Sequence, residues 1–480
     1  DVAPSRGLGD VYKRQIKNDI IQGIILSGEK LPSKRALAKN LAISVITVEN
    51  AYGQLLAEGY IYSIPKSGYY VSDLSGIPVH QTEYTSETYE AEEQGTDSRT
   101  AKAGDKVLLT GGENAFIADF TSNQTEHAAF PFSIWNKTMR AVMNDYQKEM
   151  MINPPCGGVM ELRKSISSYL KEFCAMYVRP EQIIIGAGTE YLYSILIQLL
   201  GRNVCYGVEN PGYPKIAKIY RSMGVKYEYI DLDEEGTSAK KLEEKKVDIM
   251  HISPSHHFPT GMVMPISKRY ELLGWVTRKK ERYIIEDDYD SELRLAGKPI
   301  PSLQSIDVSG KVIYINTFAK TLCSTVRISY MVLPEALAEK YYRELSFYSC
   351  TVSNFEQYTL AAFMNAGAFE KHINRLRNYY QHKRDLILST FLKEPLGKYI
   401  TISEEDSGVH FLMHVNTSMS EQEFLLKTRA KGIRLATLSS FYNAEQKDSR
   451  YENTYVMNYS FVDCDRLEYV AQTLYKIIHP

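Results

Sequence analysis

The sequence predicts an α/β protein: a mainly parallel sheet covered by helices, a small C-terminal α+β subdomain, and a winged helix-turn-helix in front of both. Three observations carry this. From about residue 107 onward, strand-like apolar runs alternate with helical stretches. A polar, acidic stretch nearly free of aliphatic residues separates that region from the first seventy residues. Ahead of it, residues 33–71 read as helix, turn, helix and two short strands.

The chain has 480 residues, enough for two or three domains and a large buried core. Its net charge of −2, with 24% charged residues, argues against an overall polyanion-binding surface. No window approaches an uninterrupted apolar membrane span, and the N-terminus lacks a secretory pattern. The six cysteines are scattered with no CxxC pair, which suggests reduced thiols in a cytoplasm. There is no HExxH, and the adjacent His256 and His257 are poorly spaced for one helix face, so no metal site is expected.

Composition divides the chain into residues 1–73, a winged helix-turn-helix; 74–115, a flexible acidic linker; 116–335, a large sheet domain; and 336–480, a small subdomain. Residues 1–73 hold nine Lys and Arg against seven Asp and Glu, whereas residues 74–105 hold two against seven. The second stretch has too little apolar surface to order itself. Residues 1–15 do not continue the helical pattern that follows, lack an initiating Met, and read as a truncated or artefactual start.

In the N-terminal region, IKNDIIQGIIL (residues 16–26) carries apolar side chains at helical spacing. Ser33 is placed to cap a helix over Lys34–Leu41, and Ser44 a second over Val45 to about Glu58, with Gly59 at its end. Ala38, Leu41, Val48, Tyr52 and Leu55 form the expected shared core. Lys34, Arg35, Ser44, Ile46, Thr47 and Asn50 fall on the outer side, and Lys66 at the tip of a two-stranded wing. Short polar side chains at a helix start suit base edges, and basic neighbours suit phosphates. A solvated face on a plain packing module is the alternative.

The larger region has the strand-like runs QIIIGA, VCYGVEN, KYEYIDL, VDIMHIS, RYIIEDD and KVIYINTF, then GVHFLMHV and TYVMNYSF in the small subdomain. Polar residues gather where several of these end, the edge at which open α/β sheets bind ligands. A pyridoxal phosphate pocket needs an amine, an acid facing the ring nitrogen, a hydroxyl for the ring oxygen, an aromatic ring and a phosphate cup. Lys320 supplies the amine, Asp287 the acid, Tyr289 the hydroxyl and Tyr213 the ring. Gly188, Thr189 and Glu190 open a helix with free N–H groups, and Thr317 and Arg327 complete the phosphate grip. Taken singly, each is an ordinary turn or cap residue; together they make a pocket.

LPSKRALAKNL, ITVENAYGQLLAEGYI and the Gly68 wing resemble the winged helix of GntR-type transcription factors, over about residues 16–72. PSHHFPTGMVMP, IIEDDYDSEL and TFAKTL with Arg327 resemble the fold-type I aminotransferase-like domain of MocR-type regulators, over about residues 116–478. The resemblance implies DNA contacts from Lys34, Arg35, Thr47 and Lys66, with Ser44 and Asn50 behind them. It implies pyridoxal 5′-phosphate held by Lys320 as a Schiff base, with the partner residues above. It further implies a head-to-tail homodimer on a double-stranded operator, and a small amino compound or vitamer as effector. Two departures stand out: Phe258 replaces the asparagine of an Asn-Pro-Thr-Gly motif, and Val456–Tyr459 holds no arginine for a substrate carboxylate. Three readings remain: a regulator sensing through the cofactor, a working aminotransferase with a DNA-binding appendage, or an empty dimerisation scaffold.

Overall fold

The computed structural model describes residues 13–72 and 116–479, apart from 14, 18, 21–23, 42, 66, 123, 127–128, 296–299, 407 and 444–450. The chain forms two compact units, Asp1–Leu108 and Leu109–Pro480. The stretch expected as an acidic linker, residues 74–115, lies outside the described residues. Among the described residues no helix is long and apolar enough to cross a membrane.

In the first unit, α1 (Lys34–Asn40) and α2 (Val45–Ala57) are followed by β1 (Ile61–Ile64) and β2 (Gly68–Val71). Both helices begin on serine caps: Ser33 Oγ accepts from the amide of Ala36, and Ser44 Oγ from that of Thr47. Gly59 follows α2 in the left-handed region, with φ of 81°. The strands pair antiparallel from Ile61–Val71 to Ile64–Gly68 and form the wing. The core holds Ala38, Val48, Tyr52 and Leu55 as expected, with Ile20, Leu31, Ile61 and Val71. Leu41 is not part of it. That residue is the C-cap of α1 and only half-buried, and Leu37, one turn earlier, packs against the core instead. The hydroxyl of Tyr52 donates to the Pro32 carbonyl at 2.9 Å, tying α2 to the segment before α1.

The second unit is built on a seven-stranded sheet. Its strands are β3 (Ile183–Gly186), β4 (Tyr206–Asn210), β5 (Tyr227–Asp231), β6 (Ile249–Ile252), β7 (Tyr283–Asp288), β8 (Val312–Thr317) and β9 (Ser329–Val332), with helix α3 (Thr189–Leu200) following β3. Their spatial order is β3-β9-β8-β7-β6-β4-β5. Neighbours pair parallel except around β9, which runs antiparallel to both β3 and β8. Every residue of β3, β6, β8 and β9 is buried, which explains why β3, β6 and β8 read as near-continuous apolar runs rather than alternating ones. β9 is a strand the sequence reading did not separate from the segment before it.

Helix α4 (Ala368–Phe391) leads into the small sheet. That sheet orders β10 (Ile400–Ser403), β11 (His410–Val415), β12 (Ala436–Thr437) and β13 (Thr454–Asn458) as β10-β11-β13-β12. All its pairings are antiparallel. Phe391, Phe411, Met413, Tyr455, Met457 and Leu474 share its core. A short parallel pair, Ala118–Asp119 with Ile433–Arg434, joins the beginning of this unit to the small subdomain.

Gly408, just before β11, has φ of 67°. A Cβ there would collide with the His256 ring and the Asp290 carboxylate. Gly408→Ala is therefore expected to cost about 2–4 kcal/mol, from left-handed strain plus overpacking. Thermal unfolding of the full chain checks this, with Gly274→Ala, which faces open space at an exposed helix position, as the mild control.

Candidate functional site

The parallel strands all end at one edge of the sheet, and residues just beyond those ends line a cavity of about 330 Å³. Because β9 runs the other way, its start lies at that same edge, and so does Arg327 immediately before it. Gly188, Thr189, Glu190, Tyr213, Asp287, Tyr289, Thr317, Lys320 and Arg327 all line this cavity.

Asp287 is 7% exposed at the end of β7. Its Oδ2 accepts from the Tyr193 hydroxyl at 2.5 Å and lies 3.4 Å from Nε2 of His251. His251 in turn meets the Tyr220 hydroxyl through Nδ1 at 2.8 Å. The other oxygen, Oδ1, is buried without a hydrogen-bond partner. A buried acceptor left open in this way suits an N–H donor arriving in the cavity. Tyr193 stands one helical turn after Thr189 on α3, and His251 interrupts the apolar run of β6. That interruption, a histidine in an otherwise apolar strand, was the sequence signal for this supporting layer.

Lys320 follows β8. Burial pushes its amine below the ordinary lysine value, against an opposing pull from Asp290. A lowered amine pKa raises the neutral, nucleophilic fraction. Burial raises the Tyr289 hydroxyl well above its usual value, with Asp290 and Asp287 adding to the rise, so it stays a proton donor. It lies 3.3 Å from Nδ1 of His256, whose Nδ1 also reaches the Asp290 carboxylate at 2.9 Å. Tyr213 caps the helix at Pro214–Ser222, and its ring meets Phe258 edge-on at 5.9 Å.

Where α3 begins, Arg327 has φ of 54° and reaches the Ala187 carbonyl and Glu190 Oε2, the latter at 2.9 Å. Gly188 has φ of 95°, and any Cβ there would run into the guanidinium. Glu190 also holds Lys215. Partial burial pushes the Glu190 carboxyl up, but these two cations outweigh it and hold the group down at about 2. The Thr317 hydroxyl is occupied internally: it accepts from Ser329 Oγ at 2.8 Å and from the Ala319 amide at 3.2 Å.

Glu209 and His257 stand 3.5 Å apart, and burial acts against charge on both. Burial pushes Glu209 up to about 8 and His257 down to about 3. Arg434 is half-exposed beside Asp119, away from the cavity lining, and Arg450 lies outside the described residues.

On the first unit, Arg35, Ser44 and Asn50 are exposed, as are Val45 and Ile46 at the start of α2. The Ser44 and Thr47 hydroxyls bond each other at 2.7 Å, and Lys34 is paired with Glu49 at 2.6 Å. Lys66 lies outside the described residues.

Residues 10–71 match the gntR family of bacterial regulatory proteins, and residues 117–450 match aminotransferase class I and II. The chain is 38% identical to the uncharacterized HTH-type transcriptional regulator YdeL of Bacillus subtilis, covering 89% of this chain and 88% of that protein. It is 28% identical to the probable rhizopine catabolism regulatory protein MocR of Rhizobium meliloti, over 88% and 85% of the two chains. Among solved structures it resembles the kynurenine aminotransferase of Pyrococcus horikoshii, crystallised with PMP. There the TM-score is 0.65 at 22% identity, over 76% of this chain and 91% of that one, a likeness of fold.

Stability should report the neutral state of Glu209. An unfolded glutamate loses its proton near about 4.3, whereas the folded one keeps it up to about 8. Folding is therefore penalised increasingly as pH rises between those values, and constantly above them. The Tm loss from pH 5 to pH 8 should be smaller in Glu209→Gln than in wild type, as read by thermal unfolding across that range.

With both matches and both geometries in view, the chain belongs to the MocR-type regulators, GntR-family DNA-binding transcriptional regulators whose second domain is an aminotransferase-like fold.

Proposed function

We propose that this regulator binds pyridoxal 5′-phosphate in the cavity at the strand ends and uses it to sense a small amine. The observation that carries the reading is the buried, unpartnered Oδ1 of Asp287, aligned by Tyr193 and His251 and sharing a cavity with Lys320. When bound, the cofactor supplies an aldehyde that condenses with amines and a ring nitrogen that withdraws electrons. Asp287 would hold the proton on that nitrogen, and Tyr289 would donate to the ring oxygen. Lys320 would hold the cofactor through its amine, whose burial favours the neutral form that such a linkage needs. Arg327 and the amides opening α3 would hold the phosphate, with Gly188 providing the space. Glu190 already occupies the guanidinium, so phosphate binding must share or exchange that partner.

An amine that exchanges with Lys320 changes what the cavity contains, and the response is a difference in affinity between two conformations of the chain. The first unit would bind duplex DNA through α2 in the major groove, with Arg35 and Lys34 on phosphates and Thr47 and Asn50 toward base edges. A homodimer would bring two such units to one operator and raise affinity by effective concentration.

Adding pyridoxal 5′-phosphate to the purified protein should produce a visible absorption band. Lys320→Ala should lose that band, and Asp287→Asn should weaken cofactor affinity by roughly 10–100-fold, the worth of a charge-assisted hydrogen bond. An unchanged spectrum in Lys320→Ala would remove the cofactor from the reading. Independently, Arg35→Ala should weaken binding across DNA sequences and reduce the salt-dependence slope by about one, measured by fluorescence anisotropy on duplex DNA.

A further inference from the structure

The first turn of α2 turns an apolar side chain to solvent. Ile46, the second residue of the helix, is the most exposed large apolar side chain among the described residues of the first unit, at 69%, and Val45 beside it is exposed as well. The opposite face of α2 is taken up by the core, where Val48, Tyr52 and Leu55 are buried. Asn50, one turn further along, shares the outward stripe with Ile46 and is exposed. A single exposed apolar residue is ordinary on a protein surface. What sets Ile46 apart is its place, at the start of the helix that follows the turn in a gntR-type unit.

The polar groups of the same turn are already engaged. Ser44 Oγ accepts from the Thr47 amide at 3.0 Å, and the two hydroxyls bond each other at 2.7 Å. Glu49 is held by Lys34 at 2.6 Å. The turn therefore offers outward the branched side chain of Ile46, with Val45 beside it and Asn50 behind. On α1, Arg35 and Lys39 are exposed cations, suited to the phosphates that flank a groove.

The chemistry of the major groove decides what such a side chain can recognise. Guanine, adenine and cytosine present donors and acceptors there, and thymine adds a methyl group. Isoleucine can neither donate nor accept. Laid over a polar base edge, it would strip water from groups that it leaves unpaired. Laid over a thymine methyl, it buries apolar surface on both sides. Its β-branched side chain is stiff at χ1 in a helix, so little rotamer freedom is lost on docking.

We propose that Ile46 reads a thymine, its side chain packing on the C5-methyl group in the major groove, so that the operator carries T rather than C at that position. The inference rests on α2 as the helix that enters the groove, as proposed above, and names the base that it selects.

The test uses the full chain to enrich duplexes from a random-sequence DNA library. The enriched duplex is then resynthesised with uracil in place of one thymine at a time, which removes the methyl group and nothing else. At one position uracil should weaken wild-type binding about fourfold, the worth of one buried methyl, read by fluorescence anisotropy. In Ile46→Ala the thymine and uracil duplexes should bind alike at that position, and Ile46→Val should keep part of the difference. Ile46 lies outside the unit's core, and thermal unfolding of both variants checks that they fold. The proposal is overturned if no uracil weakens wild-type binding, or if every such loss persists in Ile46→Ala. Asn50→Ala separates this inference from the reading beneath it. If that variant still prefers the enriched duplex over an unselected one as strongly as wild type, α2 does not read the groove and both fail. If it loses the preference while uracil has no effect on wild type, only the thymine contact fails.

Discussion

The half-satisfied carboxyl of Asp287 is the constraint around which the rest of the site is arranged. An interior acceptor without a partner costs on the order of 1–3 kcal/mol, and such groups persist where something else is meant to complete them. The protein holds the group in place rather than removing it. Tyr193 fixes one oxygen from α3, and His251 supports it from β6, itself steadied by Tyr220. Three separate elements therefore aim one oxygen into the cavity. The same strand ends deliver Lys320 and Tyr289 to it, and the small subdomain brings in His410 from the other side.

Around that oxygen the charges are arranged in two different ways. Where α3 begins, Arg327, Lys215 and Glu190 form a partly exposed ionic cluster, in contact with solvent and open to exchange. Elsewhere in the lining and beside it, burial pushes Glu209 up and His257 and His410 down, each away from its charged form. One end of the cavity is lined by paired, partly exposed charges and the other by buried groups.

Much of this was legible in the sequence because the informative residues sit at strand ends, and the strands announce themselves by apolar runs. Asp287, Lys320 and Tyr213 follow directly from that pattern. What the sequence did not disclose depends on pairings across long separations. His256 and Asp290 lie 34 residues apart, and His410 reaches them from a different subdomain. β9 was hidden because SYMV follows a loop with no turn signal, and only its pairing with both β3 and β8 defines it. The Leu37-for-Leu41 exchange has a local cause: α1 ends at Asn40, so position 41 no longer follows the helical face. Thr317 shows the opposite limit. A hydroxyl at the expected position was found, but Ser329 and Ala319 already use it.

The reversal of β9 has a consequence for chain length. Thr317 pairs with Ser329, and the Phe318 amide bonds to the Ile328 carbonyl, so the segment between them is a closed loop pinned at both ends. That loop delivers the amine near its beginning and the guanidinium at its last position. It works as a ruler. Adding or deleting one residue inside it would shift the Lys320-to-Arg327 span or slip the register of β9, which turns every side chain of that strand to the other face. Sequence drift in this stretch is thus confined to substitution, while the surface loops of the same domain remain free to change in length.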